Sequence, residues 1–102
     1  MFVSAAGLLS RPSFLQHMKK GTIVRAIARW SMDAVDKGKI LFDTRECDVN
    51  ERFIVLTEPF QVDYQYMGFM VQGCNGIEMI NEYVVDRKTF GQIAESYFEE
   101  IK

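Results

Sequence analysis

The stretch from Glu51 to Val85, ERFIVLTEPFQVDYQYMGFMVQGCNGIEMINEYVV, constrains the fold most, because it is rich in β-branched and aromatic residues around a central Asn75-Gly76. Asn-Gly supplies the two positive φ values of a type I′ turn, so the pattern predicts a hairpin folded there. A two-residue loop sets the pairs: Cys74 opposite Ile77, Gln72 opposite Met79, Met70 opposite Asn81, Gly68 opposite Tyr83 and Tyr66 opposite Val85 on one face. Val71 with Ile80, Phe69 with Glu82 and Met67 with Val84 make the other. Both faces are largely apolar, whereas a hairpin wet on one side alternates. One face is expected against helices of the same chain. The second needs another cover: more of this chain, a partner or a ligand.

Gly68 marks an irregular point. Apolar residues fall on even positions from Phe60 to Tyr66 and on odd positions from Met67 to Val71, so the phase slips by one beside the glycine. A β-bulge or sharp coil at Gly68 is expected, with the Tyr83 ring covering the bare backbone. A sheet bent this way is concave on one side and can hold a ligand; the plainer expectation is a bend that wraps the sheet around a helix. Upstream, Phe53 to Thr57 is a fully apolar run, predicted to be an internal strand that Glu58-Pro59 breaks. Lys39 to Asp43 reads as a short strand, followed by a charge-dense loop to Arg52. Asp43, Glu46, Asp48 and Glu51 in that region lack the spacing and the glycine of a calcium loop.

Residues 1–9 suggest an arm or short strand, and residues 10–38 read as helical. Ser10 or Ser13 can cap a first helix that Lys19-Lys20-Gly21 ends. Ile23, Ile27, Trp30 and Ala34 then recur at helical spacing, with Gly38 as the left-handed stop, although the β-branched run Thr22-Ile23-Val24 argues for a strand. After the sheet region 39–85, residues 87–102 predict a helix: Thr89 and Gln92 have capping-box spacing, and Phe90, Ile93, Ala94, Tyr97, Phe98 and Ile101 form one stripe. The expected architecture is a single α+β domain. It has a mainly antiparallel sheet of four to five strands, amino-terminal helices, and a carboxy-terminal helix packed on the sheet.

A chain of 102 residues with 48% hydrophobic content can bury an adequate core without staples. Two cysteines, Cys47 and Cys74, are too few for a disulfide framework and suggest a reducing, cytoplasmic setting. No window approaches the ~20 apolar residues of a membrane span, and the start lacks the basic flank of a secretory signal. The net charge of −2 hides an asymmetry: residues 1–32 hold five bases and no acid, whereas residues 33–102 hold seven bases and fourteen acids. A basic amino terminus of this kind resembles an organelle presequence in composition, can contact phosphates, or can pair with the acidic remainder. The last is the simplest.

No residue is assigned a catalytic or metal-binding role, and no cofactor is implied. His17 lacks a nucleophile at motif spacing, and Cys47 lies between Glu46 and Asp48, which oppose a thiolate. The sharper signal is Tyr66, Met70, Met79 and Tyr83 on one hairpin face: adaptable and amphipathic side chains of the kind found in interfaces, and equally usable as core. The leading expectation is a self-associating protein-interaction module, a homodimer or a binder of another protein. Second stands a small-molecule binder or enzyme lined by Tyr64, Tyr66, Glu78 and Glu82. Third is phosphate or nucleic-acid contact through a basic strip of Lys19, Lys20, Arg25 and Arg29. Glu82, predicted opposite Phe69, needs a cationic partner, for which Arg25, Arg29 and Arg52 are candidates.

Overall fold

The structure is a computed structural model that describes residues 19–101. The expected arm at 1–9, most of the first helix and His17 lie outside the described residues. Among the described residues eight strands and one helix follow in order: β1 (Ile23–Ala26), β2 (Ser31–Asp36), β3 (Lys39–Glu46), β4 (Arg52–Val55), β5 (Phe60–Gln61), β6 (Met67–Gly73), β7 (Gly76–Glu82), α1 (Arg87–Glu95) and β8 (Phe98–Glu100). The strands form one sheet in the order β3-β2-β7-β6-β4-β1-β8, with β5 also on β6 and every pairing antiparallel.

This corrects the expected fold class, in which residues 22–37 were a helix and the sheet had four or five strands. Two strands stand where that helix was expected. The β-branched Ile23-Val24 starts β1, which buries Val24 and Ala26 and turns Ile23 outward with period two. Four residues of bend follow, and β2 restarts with Met32 buried. Helical spacing of Ile23, Ile27, Trp30 and Ala34 thus came from two strands and a bend, and only Trp30 of the four is buried. Gly38 is left-handed as expected, but Lys37 is too, with φ of 52° and 79° for the pair. That combination is a type I′ turn, closing the hairpin at the Asp36↔Lys39 pair.

The turn at Asn75-Gly76 needs a second correction. Only Gly76 has positive φ, so the tip is not type I′; Gly73 pairs with Gly76 across Cys74-Asn75. The register moves by two residues, giving Met70↔Met79, Phe69↔Ile80, Val71↔Glu78 and Gly68↔Asn81. Because the shift is even, no side chain changes face. No bulge interrupts Gly68, whose strand runs in register from Met67 to Gly73. The phase slip arises because residues 62–66 turn the chain from β5 into β6, with the Asp63 carboxylate accepting the N–H groups of Gln65 at 2.7 Å and Tyr66 at 2.9 Å. Gly68 is required for packing: a Cβ there would lie 2.6 Å from the Ile80 carbonyl oxygen and 3.2 Å from Val62 Cγ2.

Strands β4 and β5 occupy one edge of β6 in succession, separated by the Glu58-Pro59 break. Within the break Leu56 N–H still donates to Met70 O at 2.8 Å, and the Thr57 hydroxyl accepts from Met70 N–H at 3.0 Å, which replaces a missing ladder acceptor. The core lies on one face, where Val24, Phe53, Val55, Phe69, Val71 and Ile80 meet Phe90 and Ala94 of α1. The helix starts at Arg87 as expected, but its cap is Asp86 and not Thr89: the Asp86 carboxylate accepts from Thr89 N–H at 2.8 Å and its hydroxyl at 2.7 Å. It stops at Glu95, short of the predicted residue 102. Phe98 therefore joins the core from β8, edge-on to Phe69 at 6.3 Å.

Candidate functional site

Alternation along each strand divides the sheet into a core face and an outer face. The core face carries one ionic cluster. Register places Arg45 of β3 across from Met32, and Glu78 of β7 across from Ala34, so both side chains point to the core side. Arg45 grips Glu78 with two bonds, Nε to Oε2 at 2.7 Å and Nη2 to Oε1 at 2.8 Å. It also holds Glu51, in the turn before β4, by Nη2 to Oε2 at 2.6 Å and Nη1 to Oε1 at 3.2 Å. Glu51 Oε1 accepts a further bond from the Asp48 N–H at 3.0 Å. Bonding to Arg45 holds the Glu51 carboxyl below its usual range, and bonding to Glu78 first, then Glu51, holds the guanidinium above its own. Glu78 is only 2% exposed. With its oxygens fully engaged, this cluster fastens β3, β7 and the β4 turn together and does not line a ligand site.

Glu82, the acid singled out as needing a partner, shares the core face but has no ion pair among the described residues. Its register neighbour is Met67, and burial alone pushes its carboxyl up. The cations suggested for it are elsewhere. Arg25 of β1 pairs with Glu99 and donates to Asn50, and Arg29, in the β1–β2 bend, stands 3.8 Å from Glu46. The basic strip therefore does not assemble as one helical stripe: Lys19 and Lys20 are exposed ahead of β1, and both arginines already face acids. Cys47 is buried, its thiol pushed up by that burial, and it donates to Ala28 O at 3.8 Å.

The outer face brings Tyr66, Met70, Met79 and Tyr83 together as the alternation predicts, but with unequal access. Met79 is buried, Tyr66 and Met70 are half-buried, and Tyr83 is exposed, its ring edge-on to Tyr66 at 5.3 Å. The expected ligand lining divides between the two faces. Tyr64 stands exposed in the 62–66 turn beside a cleft of about 370 Å³, and Tyr66 lines another of about 310 Å³, whereas Glu78 and Glu82 are on the core side.

The outer face also holds a feature that sequence reading missed. Ile23 of β1 pairs with Ile54 of β4, Ile54 with Gln72 of β6, and Gln72 with Ile77 of β7, forming one lateral row across four strands. The three isoleucines are 44%, 45% and 42% exposed. Half-buried Leu56 and Met70 widen the row into an apolar band. Helical spacing assigns Ile23 to a helix stripe, and the apolar run assigns Ile54 to an internal strand. Strict alternation across Arg52-Phe53-Ile54-Val55 was the available signal, since it leaves Ile54 on the side opposite the core.

No protein-family model, curated protein or solved structure matches this chain. Among the described residues no helix is long and apolar enough to cross a membrane.

Proposed function

We propose that the chain is a protein-interaction module that associates with a second copy of itself through the outer face of its sheet. The observation that carries this reading is the isoleucine row Ile23-Ile54-Gln72-Ile77, three large aliphatic side chains left partly in water on the outer face of the sheet. Single exposed aliphatic residues are ordinary, but an aligned row of them marks a contact surface. A homodimer needs a patch complementary to itself, and a row of like residues flanking Gln72 satisfies that under two-fold symmetry. The face that α1 covers is occupied by the core, which favours the outer face over a ligand site on the other side. Two free cysteines, one of them exposed, fit a reducing, cytoplasmic setting.

Sedimentation equilibrium on the intact chain tests the reading. A concentration-dependent dimer is expected, and Ile54→Lys should reduce it to monomer with the far-ultraviolet dichroism unchanged. A wild-type monomer up to several hundred micromolar would discard the proposal.

A further inference from the structure

Charges around the apolar band are distributed unevenly. At one corner stands Arg52, directly opposite Arg25 in the β1–β4 ladder. Arg25 is satisfied by Glu99 and Asn50, but Arg52 has no carboxylate partner among the described residues. At the diagonal corner is a cleft of about 310 Å³ lined by Asp33, Asp63, Tyr66, Asn81, Ile40 and Val62. Asp33 accepts from the Thr44 hydroxyl at 2.6 Å and from Asn81 Nδ2 at 3.1 Å, and Asp63 accepts two backbone N–H groups. Neither carboxylate meets a cation among the described residues.

From these facts we infer that the dimer is a two-fold one in which Arg52 of each copy enters the acidic cleft of the other. This rests on the self-association proposed above and adds its register. The cleft suits an arginine in each part: carboxylates for the guanidinium, the Tyr66 ring for a planar cation, and Ile40 and Val62 for the methylene stem. Position also fits. β4 and β2 are three strand spacings apart, and Arg52 and Asp33 lie one outward position to either side of the isoleucine row, a diagonal of roughly 20 Å. A two-fold axis lying in the contact plane, crossing the row between Gln72 and Ile77 at right angles to that diagonal, superposes each basic corner on an acidic one. The two rows then cross at nearly right angles between Gln72 and Ile77, and Ile54 of each copy falls over the Met70–Met79 pair of the other. An isologous contact forms both charge pairs at once.

The test uses the full chain and two charge reversals, Arg52→Glu and Asp63→Arg, in sedimentation equilibrium at low and high salt, with dichroism as the fold control. Each variant alone should dimerise at least about tenfold more weakly than wild type: Arg52→Glu sets a carboxylate against both cleft acids in each symmetric pair, and Asp63→Arg sets a second cation against Arg52 with only Asp33 left to offset it. Mixed one to one, they should recover affinity, since each corner of the mixed dimer then joins opposite charges. A wild-type dimer whose affinity survives Arg52→Glu within twofold, or a mixture that stays monomeric, would overturn this register while leaving self-association standing. Absence of any wild-type dimer would remove both. Should Asp63→Arg lose its dichroism, Arg52→Glu and the salt dependence decide: a dimer insensitive to both overturns the inference.

Discussion

Ile77 and Glu78 are neighbours on β7, and their environments invert what their chemistry favours. The isoleucine is 42% exposed and the carboxylate 2%. Period-two alternation sends them to opposite faces, and each face handles its guest differently. On the core side, Glu78 is tolerated because Arg45 meets it with two bonds and is itself anchored by Glu51. On the outer side, Ile77 stands beside Gln72 of its row and is left largely in solvent. The contrast shows that burial here is governed by register across the sheet, not by residue type along the strand.

The largest test of that contrast removes Arg45. Arg45→Ala leaves Glu78 buried without a counter-charge and should cost about 3–5 kcal/mol in urea denaturation. Pairing it with Glu78→Leu should recover most of the loss. A loss below 1 kcal/mol for the single variant would mean that the cluster is not what secures β3 to β7. Gly68→Ala comes next, at about 2–3 kcal/mol, because the added methyl would meet the Ile80 carbonyl oxygen at 2.6 Å. The same assay measures it, and an unchanged midpoint would show that β5 and β7 can move apart.

Two acids of the core side should respond to pH in opposite senses. Glu51 is held below its usual range, so its contribution is present above about pH 4.3 and is lost as the pH falls through its lowered value. Glu82 is pushed up by burial, so it favours the fold below about pH 4.3 and loses that contribution as the pH rises through its raised value. Glu82→Gln should therefore raise stability at pH 7 and remove the decline that sets in as the pH rises above about 4.3 in stability profiles. A profile unchanged by the substitution would place the Glu82 carboxylate in contact with water or a cation. The smallest expected effect on folding belongs to Ile54→Lys, within about 0.5 kcal/mol, since the side chain is already half in solvent. A larger loss would make Ile54 part of the fold and not of a contact surface.

Several elements were legible from local pattern alone. Met67–Gly73 and Gly76–Glu82 carry strong alternation and a turn signal, and their faces followed even though the turn type and register did not. An error of two residues preserves side-chain parity, which is why the outer-face cluster survived it. The stretch 22–37 was misread because its alternating burial is interrupted by a bend, and the resulting spacing imitates a helix. Residues 98–100 were misread because Phe98 extends the helical stripe, whereas pairing with β1 draws it into the sheet. Arg45 falls in the charge-dense run before Arg52, and nothing local says that it will stand beside Glu78, 33 residues away.

By itself the sequence determined the antiparallel hairpin, the side on which each of its residues would lie, the break at Pro59 and the existence of a carboxy-terminal helix. These follow from steric preferences and alternation, which act over a few residues. Tertiary structure alone decided that β1 would adjoin β4, that Arg45 would meet Glu78, and that Ile23, Ile54 and Ile77 would align. Those outcomes depend on strand order, and strand order is chosen by the summed burial of the whole core.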